Sequence, residues 1–67
     1  MKKLINIEGM SCNHCVAHVK EALAEIDGVN VIDVSLDTKN ATVETIIGNE
    51  ILIKAIEEEG YQVNFIE

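Results

Sequence analysis

The sequence contains no proline, no tryptophan and no arginine, and only one tyrosine, Tyr61, and one phenylalanine, Phe65. With so few aromatics, any core must be small and aliphatic, and modest in stability without a bound ligand. Cations are scarce: 5 lysines stand against 12 acids, for a net charge of −7. Phosphate backbones and anionic headgroups repel such a surface, which argues against nucleic acid and anionic lipid as partners and suits docking on a basic protein face. Long apolar runs are also missing. Ile51-Leu52-Ile53 is typical of the longest, far short of a membrane span. Met1-Lys2-Lys3 starts like a secretory leader, but Leu4–Ile7 contains Asn6 and stops at Glu8, too short for one. A cytoplasmic protein is expected. Cysteines are limited to Cys12 and Cys15. Two are too few for a disulfide framework, and a bridge across so small a loop would stabilise little. In a reducing compartment a close pair reads as a metal or redox pair.

What the sequence does have is branched aliphatic residues. Leu, Ile, Val and Phe make up 22 of the 67 residues, too many for a disordered chain, and the excess of Ile and Val favours strands. The length leaves room for a single domain, spanning residues 1–67. Lys3–Glu8 reads as a strand with Ile5 and Ile7 on one face. Asn13 is a suitable N-cap for a helix on which Val16, Val19, Leu23 and Ile26 recur at helical spacing. Asp27-Gly28 ends that helix, with Gly28 free to take a left-handed conformation. Val29–Leu36 alternates, with Ile32, Val34 and Leu36 expected inward. Asp37–Asn40 is turn chemistry. Ala41–Ile46 comes next as a strand with Ala41 and Val43 inward. Asn49 can cap a second helix with Leu52, Ala55 and Ile56 on its apolar face, Gly60 ends it, and Tyr61–Ile66 is a last strand. Glu57-Glu58-Glu59 reads as a solvated helix face. The order βαββαβ predicts a ferredoxin-like α+β fold, a four-stranded antiparallel sheet with two helices on one face.

The chemistry concentrates in Gly9-Met10-Ser11-Cys12-Asn13-His14-Cys15. A helix starting at this point puts both sulfurs near the positive end of its dipole, which favours thiolate over thiol. Two adjacent thiolates form a soft anionic claw that suits Cu(I) best, with zinc and other thiophilic ions behind. Structural zinc wants four ligands, commonly two pairs, and here there is one pair. An under-coordinated ion at an exposed loop is open to attack by a partner's thiolate, so a poor structural site makes a good transfer site.

This segment resembles the metal-binding loop of the heavy-metal-associated domains, most closely that of the small bacterial copper chaperones. The likeness continues through Asp27-Gly28-Val29, Ala55-Ile56-Glu57 and Gly60-Tyr61. The resemblance implies Cu(I) bound by Cys12 and Cys15 and exchanged, through mixed three-coordinate intermediates, with the metal-binding domain of a copper-transporting P-type ATPase. It implies Tyr61 beside the metal loop, and it admits a copper-bridged homodimer using four cysteines. Ser11, where zinc and cadmium relatives often carry an acid, leans toward a monovalent ion.

Several residues have two readings. Met10 is either a thioether donor or, as its apolar position favours, a plug beneath the loop. His14 is a third ligand or a solvated side chain, and with His18 it forms an i, i+4 pair able to hold a second, weaker ion or simply two exposed imidazoles. A thioredoxin-like oxidoreductase would need a longer chain and a nearby proline and aromatic. The expectation is therefore a Cu(I) carrier, not an enzyme. The alternatives are a metal-binding domain excised from a P-type ATPase, against which the start at Met1 and stop at Glu67 weigh, and a zinc or mercury carrier.

Overall fold

A computed structural model describes residues 1–67. Strand β1 (Lys2–Glu8) is followed by helix α1 (Asn13–Ala24), strands β2 (Val29–Ser35) and β3 (Asn40–Thr45), helix α2 (Asn49–Glu58) and strand β4 (Gln62–Ile66). The strands form one antiparallel sheet in the order β2-β3-β1-β4. This is the ferredoxin-like α+β arrangement. No helix is long and apolar enough to cross a membrane.

Alternation and helical spacing meet in one core. Ile5 and Ile7 of β1, Ala41 and Val43 of β3, Val19 and Leu23 of α1, and Leu52 and Ile56 of α2 are all buried, together with Met10. Ile5 stands opposite Ala41 across β1 and β3, so the inward faces of the two central strands are in register. Both helices lay their apolar stripes on that face. The one buried polar residue, Thr45, is satisfied: its hydroxyl donates to the Gly28 carbonyl at 2.8 Å and accepts from the Ile47 amide at 3.0 Å.

Three local expectations are corrected. Asn13 and Asn49 are not caps. Cys12 and Gly48 occupy those positions with extended backbones, neither helix has a side-chain cap hydrogen bond, and each asparagine is the first helical residue. Helix α1 stops at Ala24 with Glu25 as its cap, so the left-handed Gly28 (φ 90°) serves the turn into β2 and not the helix end. Ile32 points outward and is 52 % exposed. The pairing of β2 with β3 shifts between Val31, opposite Val43, and Asp33, opposite Thr42. Ile32 is the extra residue of a bulge, so Val29 and Val31 before it and Val34 and Leu36 after it all pack on the core.

The end of α2 sets the position of Tyr61. Gly60, at φ 94°, lets its amide reach the Glu57 carbonyl at 3.0 Å while the Tyr61 amide reaches the Ile56 carbonyl at 3.4 Å. That is the paired closure of a Schellman end, which demands a left-handed residue at Gly60. It turns the chain sharply and brings Tyr61 to the same edge of the molecule as the β1–α1 loop.

Candidate metal centre

The β1–α1 loop is pinned from below and open above. Gly9 takes φ 102°, a conformation that costs a side-chain-bearing residue, and it turns the chain off the end of β1. The side chain of Met10 is then driven into the core, only 1 % exposed. It is the plug under the loop, not a donor at its surface. Ser11 and Cys12 emerge into solvent, and α1 begins as the Cys12 carbonyl accepts from the amides of Cys15 (3.1 Å) and Val16 (3.3 Å). Cys12 is thus the helix cap and Cys15 lies in the first turn.

The two sulfurs are 3.4 Å apart and both cysteines are free. They differ in setting: Cys12 is exposed, whereas Cys15 is half-buried and leans on the core. A hydrogen bond from the Tyr61 side chain, the backbone of Ser11 and the Cys12 side chain together bring the Cys15 thiol down to about 6, with Tyr61 the strongest influence. Cys15 is therefore largely a thiolate at neutral pH. The effect is reciprocal. Held against that sulfur, and partly desolvated, the Tyr61 hydroxyl is pushed up to about 12 and stays a proton donor. The Tyr61 ring lies over Gly9, where a Cβ would stand 3.6 Å from ring Cδ1.

The other sequence candidates are dispersed. His14 is exposed on the first turn of α1. His18, one turn on, is also exposed, and its Nδ1 lies 3.5 Å from the Tyr61 hydroxyl. No group of three or more His, Cys, Asp and Glu side chains converges. Glu57, Glu58 and Glu59 are all exposed. A shallow open depression of about 490 Å³ beside Tyr61, lined by Glu8, Gly9, Glu57, Gly60 and Gln62, contains neither cysteine. The centre is thus a two-sulfur pincer at an exposed edge, with the Cys15 thiol lowered and without a closed ligand set. Such a centre can hold a soft ion from one side and leave the other side free.

The heavy-metal-associated domain profile matches residues 4–62, spanning this loop and the whole sheet. The chain belongs to the heavy-metal-associated domain family. Among its members, copper chaperone CopZ of Staphylococcus haemolyticus is 42 % identical over 66 residues, which cover 94 % of this chain and 97 % of that one. A mercuric reductase of Shewanella putrefaciens is 52 % identical over 60 residues, which cover 87 % of this chain and 11 % of the reductase. The solved CopZ metallochaperone superposes with a TM-score of 0.88 at 38 % identity, covering 94 % of this chain and 98 % of that one. A copper-binding domain from HMA7, a P-type ATPase, superposes at 0.85 with 27 % identity, covering 100 % of this chain and 99 % of that one.

Two features of the heavy-metal-associated site escaped the sequence reading. One is the influence of the Ser11 backbone in lowering the Cys15 thiol, which depends on loop conformation alone. The other is the contact between His18 and Tyr61, which needs the Gly60 turn and the α1 register together. Gly9 and Gly60 were the available signals for both.

Proposed function

We propose that this protein is a carrier of Cu(I), which it holds between the sulfurs of Cys12 and Cys15 as thiolates and surrenders to a matching cysteine pair on a partner. The single observation that supports this best is the pair of sulfurs 3.4 Å apart at an exposed edge, with Cys12 open to solvent. Cu(I) is satisfied by two thiolates, so the absence of converging side chains beyond them is no handicap. The exposed face of the ion is where an incoming thiolate attaches before a bond to Cys12 or Cys15 breaks. Metal–thiolate bonds are exchanged and no substrate bond is made or cleaved, so the protein is a carrier and not a catalyst. Met10, Ser11, His14 and Tyr61 surround the pincer without ligating: Met10 as plug, Ser11 through its backbone, Tyr61 through its hydroxyl, and His14 as a solvated neighbour.

The likeness to copper chaperones over nearly their full length supports copper as the cargo. The likeness to a P-type ATPase copper domain supports a domain of that type as the acceptor. The reducing cytosol, where both thiols stay free, is the compartment in which this chemistry works. The same four-cysteine geometry, taken between two copies, gives the copper-bridged homodimer.

Anaerobic titration with Cu(I) against a chromophoric chelator, with copper-edge spectroscopy, tests the reading. One Cu(I) per chain with two sulfur ligands is expected, and Cys12→Ser or Cys15→Ser should each abolish tight binding while the fold survives. Unchanged affinity in either variant refutes it. The identity with a mercuric reductase segment favours Hg(II) as the second reading. Competition between Cu(I) and Hg(II) in glutathione buffer separates the two.

A further inference from the structure

The two histidines have no part in the pincer. His14 and His18 are both exposed, and they stand four residues apart in the unbroken helix Asn13–Ala24. At 3.6 residues per turn that spacing sets one above the other on a single face, with Cβ atoms about 5–6 Å apart. Helical side chains lean toward the N-terminus, which carries the ring of His18 up toward the turn that bears His14. Two histidines at this spacing on one helix face can share a metal ion.

The surroundings leave the donor atoms free. The one protein contact of either ring is between His18 Nδ1 and the Tyr61 hydroxyl, at 3.5 Å. It turns that edge of the ring toward Tyr61 and leaves Nε2 without a protein partner. A second ring nitrogen engaged by an oxygen is also the usual setting of a ligating histidine, because it fixes how the ring is turned. The lysine of this helix, Lys20, follows His18 by two residues and so projects from the opposite side, whereas Glu21, one turn on from His18, adds negative charge on the histidine side.

We infer that His14 and His18 form a second metal site, a two-imidazole chelate across the first turns of α1 that takes a divalent cation of intermediate softness, of the class of Ni(II), Zn(II) and Cu(II). Imidazole nitrogens suit such ions, whereas thiolates suit the softer monovalent one. No third protein donor converges, so water completes the coordination and the ion is held exchangeably. Cys12 and Cys15 take no part. The site therefore stands apart from the Cu(I)-carrier reading, and His14, solvated in the metal-free chain, ligates a different ion from the one between the sulfurs.

Ni(II) is the probe that tests this. The full chain carrying Cys12→Ser and Cys15→Ser, in which no thiolate competes, is titrated with Ni(II) at pH 7.5. One Ni(II) per chain is expected, with the NMR signals of the His14 and His18 rings broadened together. Adding His14→Gln or His18→Gln should weaken binding by at least about tenfold, the loss of one of two linked donors. Lys20→His in the His18→Gln chain restores the number of histidines but puts the second on the wrong side of the helix, and it should not restore binding. Because the ion bridges a turn of α1, saturating Ni(II) should raise the urea midpoint of the chain with both histidines and leave that of the His14→Gln chain where it was. Binding no tighter than that of the His14→Gln chain, broadening of one ring alone, or recovery on Lys20→His overturns the proposal. None of these outcomes bears on the copper titration, which reads the sulfurs that this experiment removes.

Discussion

Cys12 and Cys15 hold their sulfurs 3.4 Å apart yet meet different surroundings, Cys12 in solvent and Cys15 half-buried against the core. The pincer is therefore asymmetric. Its inner arm packs against the core and carries the lowered thiol, while its outer arm is open to solvent. An ion released stepwise should leave Cys12 first and remain on Cys15 until the partner's second thiolate arrives.

The thiolate at Cys15 ties stability to pH with a definite sign. Its folded value, about 6, lies below that of a thiol in the unfolded chain, near 8.5 to 9. The unfolded chain therefore binds more protons between those limits, and stability rises with pH across them. The contribution is fully present above the unfolded value and is lost as pH falls through about 6. Urea unfolding of the metal-free protein from pH 6 to pH 9 should show the midpoint climbing, and Cys15→Ser should flatten the climb. Cu(I) affinity should weaken as pH drops below about 6, where protons begin to compete for the Cys15 sulfur.

Met10 offers a test of loop and core together. Its side chain is fully enclosed beside the aliphatic cluster, at the point where the chain leaves β1. Met10→Ala should destabilise the fold by about 2–5 kcal/mol, the usual cost of emptying such a site, a large fraction of what so small a domain possesses. Met10→Leu should cost under about 1.5 kcal/mol, since it conserves volume. Because the thioether lies under the loop, Cu(I) affinity measured well below the melting temperature should be unchanged in the Leu variant. Thermal unfolding and chelator competition check the two halves.

The bulge in β2 gives a prediction that simple alternation would reverse. Counting by twos from Ile32 puts Ile32, Val34 and Leu36 on one face, but Ile32 is the residue the bulge expels. Ile32→Thr should change stability by no more than about 0.5 kcal/mol, whereas Val31→Thr and Val34→Thr place a hydroxyl against the core and should each cost about 1–3 kcal/mol. Denaturant midpoints for the three variants decide it.

The same strand marks how far the sequence could be read. Element order, the Ile5/Ile7 face, the Val19/Leu23 and Leu52/Ile56 stripes and the cysteine pair at a helix start are repetitive or compositional signals, and each is carried by several residues at once. The bulge, the caps and the Tyr61–His18 contact depend on single backbone angles and on register between distant segments. Asn13 and Asn49 look like caps because their side chains can bond helix amides. The structure instead places Cys12 and Gly48 there, leaving the Cys12 carbonyl to start the helix and its sulfur free at the surface. At α1, the position that local propensity would give to asparagine is held by Cys12.

The charge balance bears on how a partner is found. With 12 acids to 5 lysines, and with Glu8 and Glu57 lining the depression beside Tyr61 and Glu59 close enough to disfavour Tyr61 ionisation, the edge that presents the sulfurs is electronegative. An acceptor with lysines or arginines around its own cysteine pair would be steered onto this edge, and salt would screen the attraction because the acids are exposed. The Cu(I) transfer rate to such an acceptor should fall as ionic strength rises from about 0.02 to about 0.5 M, mainly through the association step. Charge reversal at Glu57, as Glu57→Lys, should lower the rate at low salt and flatten its salt dependence while leaving Cu(I) affinity unchanged. Stopped-flow transfer at several salt concentrations reads both effects. A rate indifferent to salt would mean that the sulfurs find each other without help from the surface charge, and that the acids serve solubility alone.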